Sequence, residues 1–338
     1  MCSFKVKIAL TYNLKKKDET KPPDYFSEFD SEDTINAIMS ALKVRGHTVE
    51  TIEVESPNLF SYFKKNPVDI VFNIAEGKYS KFRESEIPAI LDYLNIPYTG
   101  SSTLPLALAL NKAFTKRMLQ AENIPTPRYQ VFINGRERLN PDLKFPLIVK
   151  PNREGSGKGI SISNVVYTEE DLFGKVGEII DKYSQEALVE EFIDGKELTV
   201  GILENGKTTI LPILEIDFSS CRKSGEYFYS WKVKEYQGNT ELGLAPTFHC
   251  PARLDKHTEG LIKETALKTH RAIGCFGISR TDIRLGEDNI PYVLEINPLP
   301  GLNPSESNFP LMAYAAGMKY EELIEAIVLS ASERRGWN

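Results

Sequence analysis

The residues best suited to chemistry stand near the end of the sequence. Asp282 and Glu295 fall on two short apolar segments, 278–285 and 291–296, which a Gly-Glu-Asp-Asn turn joins, and Asn297 follows directly after the second. This pattern predicts a hairpin. If its register closes symmetrically about the turn, Asp282 lies beside Glu295, and side-chain alternation puts Glu295 and Asn297 on one face. Solvent-facing residues of an ordinary hairpin are the alternative interpretation.

This set of oxygen atoms predicts a site for a hard cation. Two carboxylates and an amide oxygen, with no His or Cys nearby, suit Mg²⁺, with Mn²⁺ as the alternative. Mg²⁺ usually takes few protein ligands and shares the rest with phosphate and water. Arg280 stands two residues before Asp282 and therefore on the same face. A guanidinium there is placed to stabilise anionic charge that develops beside the metal.

A glycine-rich loop, EGSGKG at residues 154–159, follows a predicted strand that ends at Lys150. Glycines let backbone N–H groups approach phosphate oxygens, and Lys150 with Lys112 upstream supplies two cations for one nucleotide. The loop has neither the spacing of a Walker A loop nor that of a dinucleotide fingerprint. A glycine-containing hairpin between two strands explains it equally well. Only together with the lysines does the loop indicate a phosphate site.

The segment 188–200, LVEEFIDGKELTV, combines a short apolar strand, two acids, a turn and Glu197. Acids and exposed backbone at such a corner suit the amine of adenine and the hydroxyls of ribose, while Phe192 or Ile193 supplies apolar contact. Surface acids before a hairpin turn are commonplace. The segment therefore supports a nucleotide site but does not by itself indicate one.

Length and composition limit the class of protein. A chain of 338 residues exceeds one usual core, so two or three domains with a cleft are expected. The net charge of −6 gives no basic field for nucleic acid. Four widely spaced cysteines without a C-x-x-C pair indicate neither disulfides nor zinc, and no stretch approaches the length of a membrane span. We expect a cytoplasmic protein without nucleic-acid or membrane partners.

The order of elements indicates an α/β (α+β) fold that opens on a parallel sheet. Segments 5–11, 48–54 and 68–73 have the pattern of strands, and 31–44 that of a helix, which makes a βαβ opening. Further on, the pattern predicts helices at 84–94, 107–122 and 320–334 and strands at 129–133 and 147–150. Segment 219–243 has no clear period, which is typical of a functional or disordered loop. We predict three domains, 1–102, 103–185 and 186–338.

Four segments in this order resemble the ATP-grasp superfamily, and most closely the D-alanine–D-alanine ligases. They are IPYTGSS with LALNKAFTK, PLIVKPNREGSGKGIS, ALVEEFIDGKELTV, and SRTDIRL with EINPLPGLNPSES, spanning residues 96–310. The combination is specific, although each segment alone is not. The resemblance implies an ATP-grasp fold behind an N-terminal parallel-sheet domain, and a homodimer. It also implies an enzyme that uses ATP and Mg²⁺ to join two small amino-acid substrates through an acyl phosphate.

The resemblance also implies roles for individual residues. For ATP they are Lys112 and Lys150 at phosphates, Glu190, Glu191, Phe192 and Ile193 at adenine, Glu197 at ribose, and Lys234 of the loop GEYFYSWKVKE at the γ-phosphate. For the metal they are Asp282, Glu295 and Asn297. For catalysis and the amino acids they are Arg280, Gly301, Ser156, Glu76 and Ser307, the last for the carboxylate of the second substrate.

Two departures from the family pattern fall where the first amino acid is held. The tyrosine after the γ-phosphate lysine is here Glu235, and the N-terminal glycine-rich signature is replaced by ALTYNLKKKDE. We therefore expect conserved ATP chemistry with an open choice of substrate, either D-alanine or other amino acids or a specialised metabolite. A nucleotide-binding regulator without turnover is the alternative from another class. A P-loop or Rossmann enzyme has little support, because its glycine spacings are missing.

Overall fold

The first part of the chain forms a three-stranded parallel sheet with helices beside it. The computed structural model describes residues 5–54, 58–78 and 80–333. The elements of this first unit are β1 (Lys7–Tyr12), α1 (Glu32–Val44), β2 (Thr48–Glu53), α2 (Leu59–Lys65), β3 (Ile70–Asn73), a 3₁₀ turn (Arg83–Ser85) and α3 (Glu86–Leu94). The strand order is β2-β1-β3, and β1 pairs in parallel with both neighbours. The predicted βαβ opening is confirmed.

Helix α1 shows why the opening folds as it does. The Ser31 hydroxyl accepts the backbone N–H of Thr34 at 3.3 Å and begins the helix, and two acids follow in its first turn, where the helix dipole favours negative charge. On its buried face, Ile38 and Leu42 join a core cluster with Leu10 of β1. Strand and helix are therefore held together by apolar burial.

Two short helices, α4 (Thr103–Leu110) and α5 (Lys112–Ala121), replace the single helix predicted at 107–122. The prediction was wrong at Asn111, whose backbone is extended and whose amide oxygen accepts the N–H of Phe114 at 3.1 Å. An asparagine in this geometry caps a new helix instead of continuing the old one. The break makes Lys112 the first residue of α5.

The second unit is a four-stranded antiparallel sheet. Its elements are β4 (Tyr129–Phe132), β5 (Leu147–Pro151), a 3₁₀ turn (Ile162–Asn164), β6 (Val165–Val166), α6 (Glu169–Tyr183) and β7 (Ala187–Glu191). The strand order is β4-β7-β5-β6, so β7 lies inside the sheet. The predicted boundary at residue 185 separates β7 from its partners, and we propose to place the boundary after Glu191 instead.

The third unit is a six-stranded antiparallel sheet. Its elements are β8 (Gly195–Glu204), β9 (Thr208–Ile210), β10 (Leu214–Asp217), a 3₁₀ helix (Ser219–Ser224), α7 (Trp231–Glu235), β11 (Thr247–His249), α8 (Lys256–Ile273), β12 (Ile278–Gly286), β13 (Pro291–Asn297), α9 (Asn308–Ala315) and α10 (Tyr320–Glu333). The strand order is β11-β10-β8-β12-β13, with β9 on β8.

Two sequence predictions for this unit have different outcomes. Segment 219–243 is not structureless, because Ser230 caps α7 and the side chain of Val233 is buried beneath it. The C-terminal helix is present as predicted, although Arg334 lies outside the described residues. It packs on α1 of the first unit in a shared core cluster, so the chain's last helix covers its first sheet. In the described part of the chain, none of the helices has the length and apolar character to cross a membrane.

Candidate active site

One cavity of about 400 Å³ lies where the three units meet. All residues that the sequence assigned to the site contribute to its lining. They are Glu76, Lys112, Lys150, Ser156, Glu190, Glu191, Phe192, Ile193, Glu197, Lys234, Arg280, Asp282, Glu295, Asn297, Gly301 and Ser307. The fold thus brings together residues more than 200 positions apart in sequence. Their individual roles stay predictions.

The carboxylates near the end of the sequence lie on the hairpin β12–β13. Asp282 stands opposite Glu295 and Arg280 opposite Asn297, which confirms the predicted neighbours. The symmetric closure was wrong, because a register shift between Asp282 and Ile283 moves the pairing by one residue along β13. The amide of Asn297 donates to Asp282 Oδ2 at 3.1 Å, so the side chains share one face. Thr199 of β8 donates its hydroxyl to Asp282 Oδ1 at 2.7 Å from the neighbouring strand.

Cations of the same cavity neutralise these two carboxylates. Arg280 donates Nε to Asp282 Oδ1 at 2.9 Å and Nη2 to Oδ2 at 2.7 Å. The ammonium of Lys112 lies 3.1 Å from Glu295 Oε2. Burial raises the pKa of Glu295, but Lys112 and Arg280 outweigh it and lower that pKa to about 2. Glu295 is therefore ionised at every physiological pH.

The donor set of the hairpin fits a small hard cation. It offers two adjacent carboxylates, one of them with a strongly lowered pKa, and one amide group. No group of three or more His, Cys, Asp or Glu side chains placed to hold a metal occurs within 5–54, 58–78 and 80–333. A set of two carboxylates and an amide leaves coordination positions for phosphate and water, as Mg²⁺ prefers.

Behind the hairpin, two lysines share one buried carboxylate. Glu190 Oε1 lies 3.1 Å from the ammonium of Lys116, and Oε2 lies 2.8 Å from that of Lys150. Lys116 is fully buried and also donates to the hydroxyl of Thr126 at 2.7 Å. Burial lowers the pKa of Lys116 to about 8 although Glu190 opposes the shift. The carboxylate of Glu190 thus holds Lys150 in place at the cavity wall.

The segment after β7 forms an apolar wall of the cavity. The ring of Phe192 packs edge-on against Tyr227 and Phe228, with centroids 5.7 and 5.9 Å away. Its backbone N–H donates to Pro146 O at 2.9 Å, which fixes the segment against the second sheet. Glu191 turns away from Glu190 and accepts a backbone N–H at 2.9 Å. This wall suits a flat ring.

Glu197 on β8 is a buried carboxylate with two partners. It accepts Arg284 Nη2 at 2.9 Å and the backbone N–H of Tyr229 at 3.2 Å. Burial raises the pKa of Glu197 and outweighs the opposing influence of Arg284. The group is fixed at the edge of the apolar wall, where a hydroxyl of a bound ligand would meet it.

The glycine loop joins β5 to β6, which pair as antiparallel strands. The hairpin interpretation therefore describes the connection, and the loop also lines the cavity with Ser156 and Gly157. Both residues have positive φ, 53° and 70°. A Cβ on Gly157 would lie 3.2 Å from the backbone N of Trp231, so glycine permits the close approach of α7. The phosphate role of the loop stays a prediction.

Helix α7 closes the cavity from the third unit. The indole N–H of Trp231 donates to Ser27 Oγ at 2.7 Å, and Glu235 forms an ion pair with Lys15 at 2.9 Å. Between these contacts Lys234 faces the cavity. Burial, and next Arg280, lower the pKa of Lys234 to about 8. The helix therefore lies as a lid on the segment that follows β1.

The loop after β13 holds Gly301 close to Ser307. A Cβ on Gly301 would lie 2.8 Å from Ser307 Oγ, which accepts the backbone N–H of Asn303 at 3.0 Å. Only glycine leaves this hydroxyl undisturbed. The loop thus presents backbone and hydroxyl together to the cavity.

Comparison with known proteins decides the family. A family model described as "D-ala D-ala ligase C-terminus" matches residues 118–329. The D-alanine–D-alanine ligase of Pelotomaculum thermopropionicum is 33% identical over 313 residues, which cover 90% of this chain and 92% of the relative. The chain belongs to the D-alanine–D-alanine ligase family. A Sinorhizobium fredii protein named "Uncharacterized protein y4sG" is also 33% identical, over 89% of this chain and 87% of its own length.

A solved member of the D-alanine–D-alanine ligase family has the same fold. The crystal structure of the Bacillus anthracis D-alanine–D-alanine ligase complexed with ATP aligns with a TM-score of 0.75 and 25% identity, over 98% of this chain and 99% of that one. The predicted ATP-grasp fold with its N-terminal parallel sheet is confirmed. The prediction of an ATP-dependent ligase that forms an amide bond is confirmed at the level of the family.

The two departures from the D-alanine–D-alanine ligase pattern contact each other. Lys15 lies in the segment that replaces the glycine-rich signature, and Glu235 replaces the tyrosine of the lid. Their ion pair joins the lid to the first unit at one edge of the cavity. The changes are therefore matched, and they alter the wall of the cavity away from the hairpin.

Sequence reasoning missed Lys116, a fully buried cation that pairs with Glu190 behind the cavity wall. Its signal was present, since it stands four residues after Lys112 and thus on the same helical face. We expect Glu190→Gln to lower the free energy of unfolding by about 3 kcal/mol, because two buried lysines lose their shared counterion. The loss of a proton by Lys116 limits this cost.

Urea denaturation measures this effect. The matched control is Glu191→Gln, because its amide oxygen still accepts the N–H of Lys144 and no cation depends on it. We expect a change below about 1 kcal/mol for the control. Equal unfolding midpoints for both variants would contradict the counterion role.

Proposed function

We propose that this chain uses ATP to join the carboxylate of one amino acid to the amine of another through an acyl phosphate. The observation that carries the proposal is the single cavity in which the carboxylate hairpin meets three lysines, Lys112, Lys150 and Lys234. Anionic phosphates and a hard cation are the ligands that such a combination binds.

The nucleotide would lie between the second and third units. The lysines Lys112 and Lys150 would bind its phosphates, the wall at Phe192 and Ile193 its adenine, and Glu197 its ribose. Their places in the lining of one cavity support this arrangement. The solved Bacillus anthracis relative contains ATP, which supports the choice of nucleotide.

The metal would be Mg²⁺, with Mn²⁺ as the alternative, held by Asp282, Glu295 and Asn297. When bound, it would neutralise phosphate charge and polarise the phosphoryl group that is transferred. Arg280, fixed by its two hydrogen bonds to Asp282, keeps a guanidinium beside the reacting groups.

In the first step, the carboxylate of one substrate attacks the γ-phosphorus, and ADP leaves. Lys150 and Lys234 offset the charge on the phosphoryl group, since ammonium groups in a closed site act in a low dielectric. The lid excludes water, which protects an easily hydrolysed acyl phosphate. Ser156 stands in the loop beneath the lid, where the first substrate would lie.

In the second step, the amine of the other substrate attacks the acyl carbon, and inorganic phosphate leaves. Arg280 and backbone N–H groups near Gly301 would stabilise the oxyanion, and Ser307 would hold the second carboxylate. The residues that line the cavity include no histidine or cysteine. Positioning of the two reactants would therefore supply most of the acceleration.

Phosphate release from ATP, measured over pairs of amino acids, tests the proposal. Joining of D-alanine to D-alanine requires phosphate release that depends on D-alanine alone. The Lys15–Glu235 pair at the cavity wall favours a second candidate, in which the same chemistry joins other amino acids or a specialised metabolite. ATP binding without ADP formation under any mixture would instead favour a regulator without turnover.

The lowered pKa of Lys234 predicts a pH dependence. Its ammonium is lost as the pH rises through about 8, whereas an ordinary lysine stays charged to about pH 10. Because kcat/KM reports the free enzyme, kcat/KM for ATP should fall about tenfold per pH unit above this value. A profile between about pH 6 and pH 10 measures it. Lys234→Arg should move the decrease in kcat/KM to higher pH. A wild-type profile that stays flat would contradict the role of Lys234 in ATP binding.

A further inference from the structure

The wall that the first unit contributes to the cavity has more carboxylates than cations. We call it the acidic wall and define it by Glu28, Asp30, Glu76 and Glu84, which all line the cavity. The guanidinium of Arg83 forms an ion pair with Glu28 and, at 3.5 Å, with Glu154. Arg83 is therefore already paired with two carboxylates.

Three carboxylates of the acidic wall have no such partner. In the described part of the chain, Asp30, Glu76 and Glu84 form no ion pair within 4 Å. The ammonium of Lys15 is taken by Glu235. Lys234 acts on Glu76 from the lid, but under the proposed function it binds the γ-phosphate. The wall thus presents three carboxyl groups without an ion-pair partner to a ligand.

The pKa values of these three carboxyl groups are raised. Burial raises the pKa of Asp30 to about 7. Burial also raises the pKa of Glu84 to about 7, against the influence of Arg83, and burial together with Glu84 and Glu28 raises that of Glu76 well above its usual range. Near neutral pH these groups therefore bind protons, and a bound cation would favour their ionised forms.

A second observation on the opposite wall points to the same kind of ligand. Asn308, the first residue of α9, lines the cavity directly after Ser307 and is only 6% exposed. Its Oδ1 is buried and has no hydrogen-bond partner in the described structure. A buried amide oxygen requires an N–H or O–H donor. This part of the cavity therefore offers an acceptor that awaits a donor from a ligand.

We propose that one of the two amino acids joined by this enzyme carries a second cationic group on its side chain, as a diamino or guanidino amino acid does. The inference rests on the proposed ligase function. The α-ammonium of an amino acid with a neutral side chain can pair with one of the three carboxyl groups and leaves two. A side-chain ammonium or guanidinium can pair with a second, which favours its ionised form, and an additional N–H group matches the free amide oxygen of Asn308.

Matched pairs of amino acids test this inference. Lysine is compared with norleucine, ornithine with norvaline, and 2,4-diaminobutyrate with 2-aminobutyrate, each as the D and L forms, with phosphate release from MgATP as the readout. We expect kcat/KM for at least one cationic member to exceed that of its neutral counterpart by about tenfold or more, as a desolvated charge pair requires.

Variants connect this preference to the acidic wall. Glu76→Gln and Glu84→Gln each remove one carboxyl group that can pair with a cation and should reduce the preference to about threefold or less. Thermal melting confirms that they fold, and loss of like-charge repulsion should leave their melting temperatures at or above that of the wild type. Glu287→Gln, exposed in the β12–β13 turn, is the matched control and should keep the preference.

The outcomes separate the inference from the proposed function. Turnover in which neutral amino acids equal or exceed their cationic counterparts overturns the inference and leaves the ligase in place. Absence of phosphate release with every pair overturns the proposed function instead. In that case, calorimetry with ornithine and norvaline, in the presence of a nonhydrolysable ATP analogue, decides the inference. Preferential binding of ornithine that is lost in Glu76→Gln supports the inference. Equal or undetectable binding of ornithine and norvaline contradicts the inference.

Discussion

Asp282→Asn and Glu295→Gln are each expected to reduce kcat for ATP-dependent phosphate release by about a thousandfold, equivalent to about 4 kcal/mol. Each substitution replaces an anionic ligand of the proposed metal by a neutral amide of the same size. The two carboxylates face each other across β12 and β13, so loss of either one leaves half of the charge that holds the cation.

The fold should survive both substitutions, because an amide of equal shape keeps one acceptor oxygen on the same face of the hairpin. The asparagine oxygen at position 282 still accepts from Thr199 or Arg280. Matched controls are Asp288→Asn and Glu287→Gln in the turn of the same hairpin, both exposed and outside the cavity. Thermal melting and steady-state phosphate release are measured for all four. Turnover within about threefold of wild type in both site variants would contradict the metal assignment.

Arg280→Lys is expected to reduce kcat by about a hundredfold or more while the affinity for ATP changes by less than about fivefold. Lysine keeps the positive charge but cannot make the two-pronged contact with Asp282, so the cation loses its fixed position. We expect a larger effect on kcat than on ATP affinity because the guanidinium would act on charge that develops in the transition state rather than on the bound nucleotide.

Single-turnover phosphate release and calorimetric titration with an ATP analogue separate these two quantities. Arg271→Lys on α8 is the matched control, because Arg271 is exposed and lies outside the cavity. An Arg280→Lys variant that loses ATP affinity in proportion to its rate would assign Arg280 to nucleotide binding. Unchanged kcat would remove it from the chemistry.

The hairpin was predictable from the sequence because its information is local. A four-residue polar turn and the alternation of side chains mark the hairpin, whereas the pairing of Asp282 with Glu295 also requires the register shift next to Asp282, which no sequence pattern marks. The beginning of α1 was predictable for the same reason, since Ser31 caps the helix through a neighbour three residues away. Local chemistry of this kind leaves few alternatives.

Counterion pairing was not predictable, because it depends on segments far apart in the chain. Glu190 is shared by Lys116 and Lys150, which come from α5 and β5, and no spacing in the sequence marks that arrangement. The break at Asn111 shows a related limit. A helical pattern continues through it, and only the cap that this asparagine forms with Phe114 ends one helix and begins the next.

The lid and the segment beneath it define the part of the site that sequence patterns described least well. Segment 219–243 has no period, yet it folds because Val233 is buried and Trp231 bonds to Ser27 across the cavity. Ser27 lies in an irregular stretch, and Trp231 begins the short helix α7. Their structure depends on tertiary contacts, and the contact between them lies next to Glu28 of the acidic wall.

Transfer of ¹⁸O from the substrate carboxylate to inorganic phosphate tests whether the enzyme forms an acyl phosphate. The enzyme is incubated with MgATP and the amino-acid pair that releases the most phosphate, with the carboxylate of the first amino acid labelled. A reaction through an acyl phosphate puts one labelled oxygen into each phosphate per amide formed, because the acyl phosphate breaks at its carbon–oxygen bond. Amide formation with unlabelled phosphate, or with the label in AMP, would contradict it.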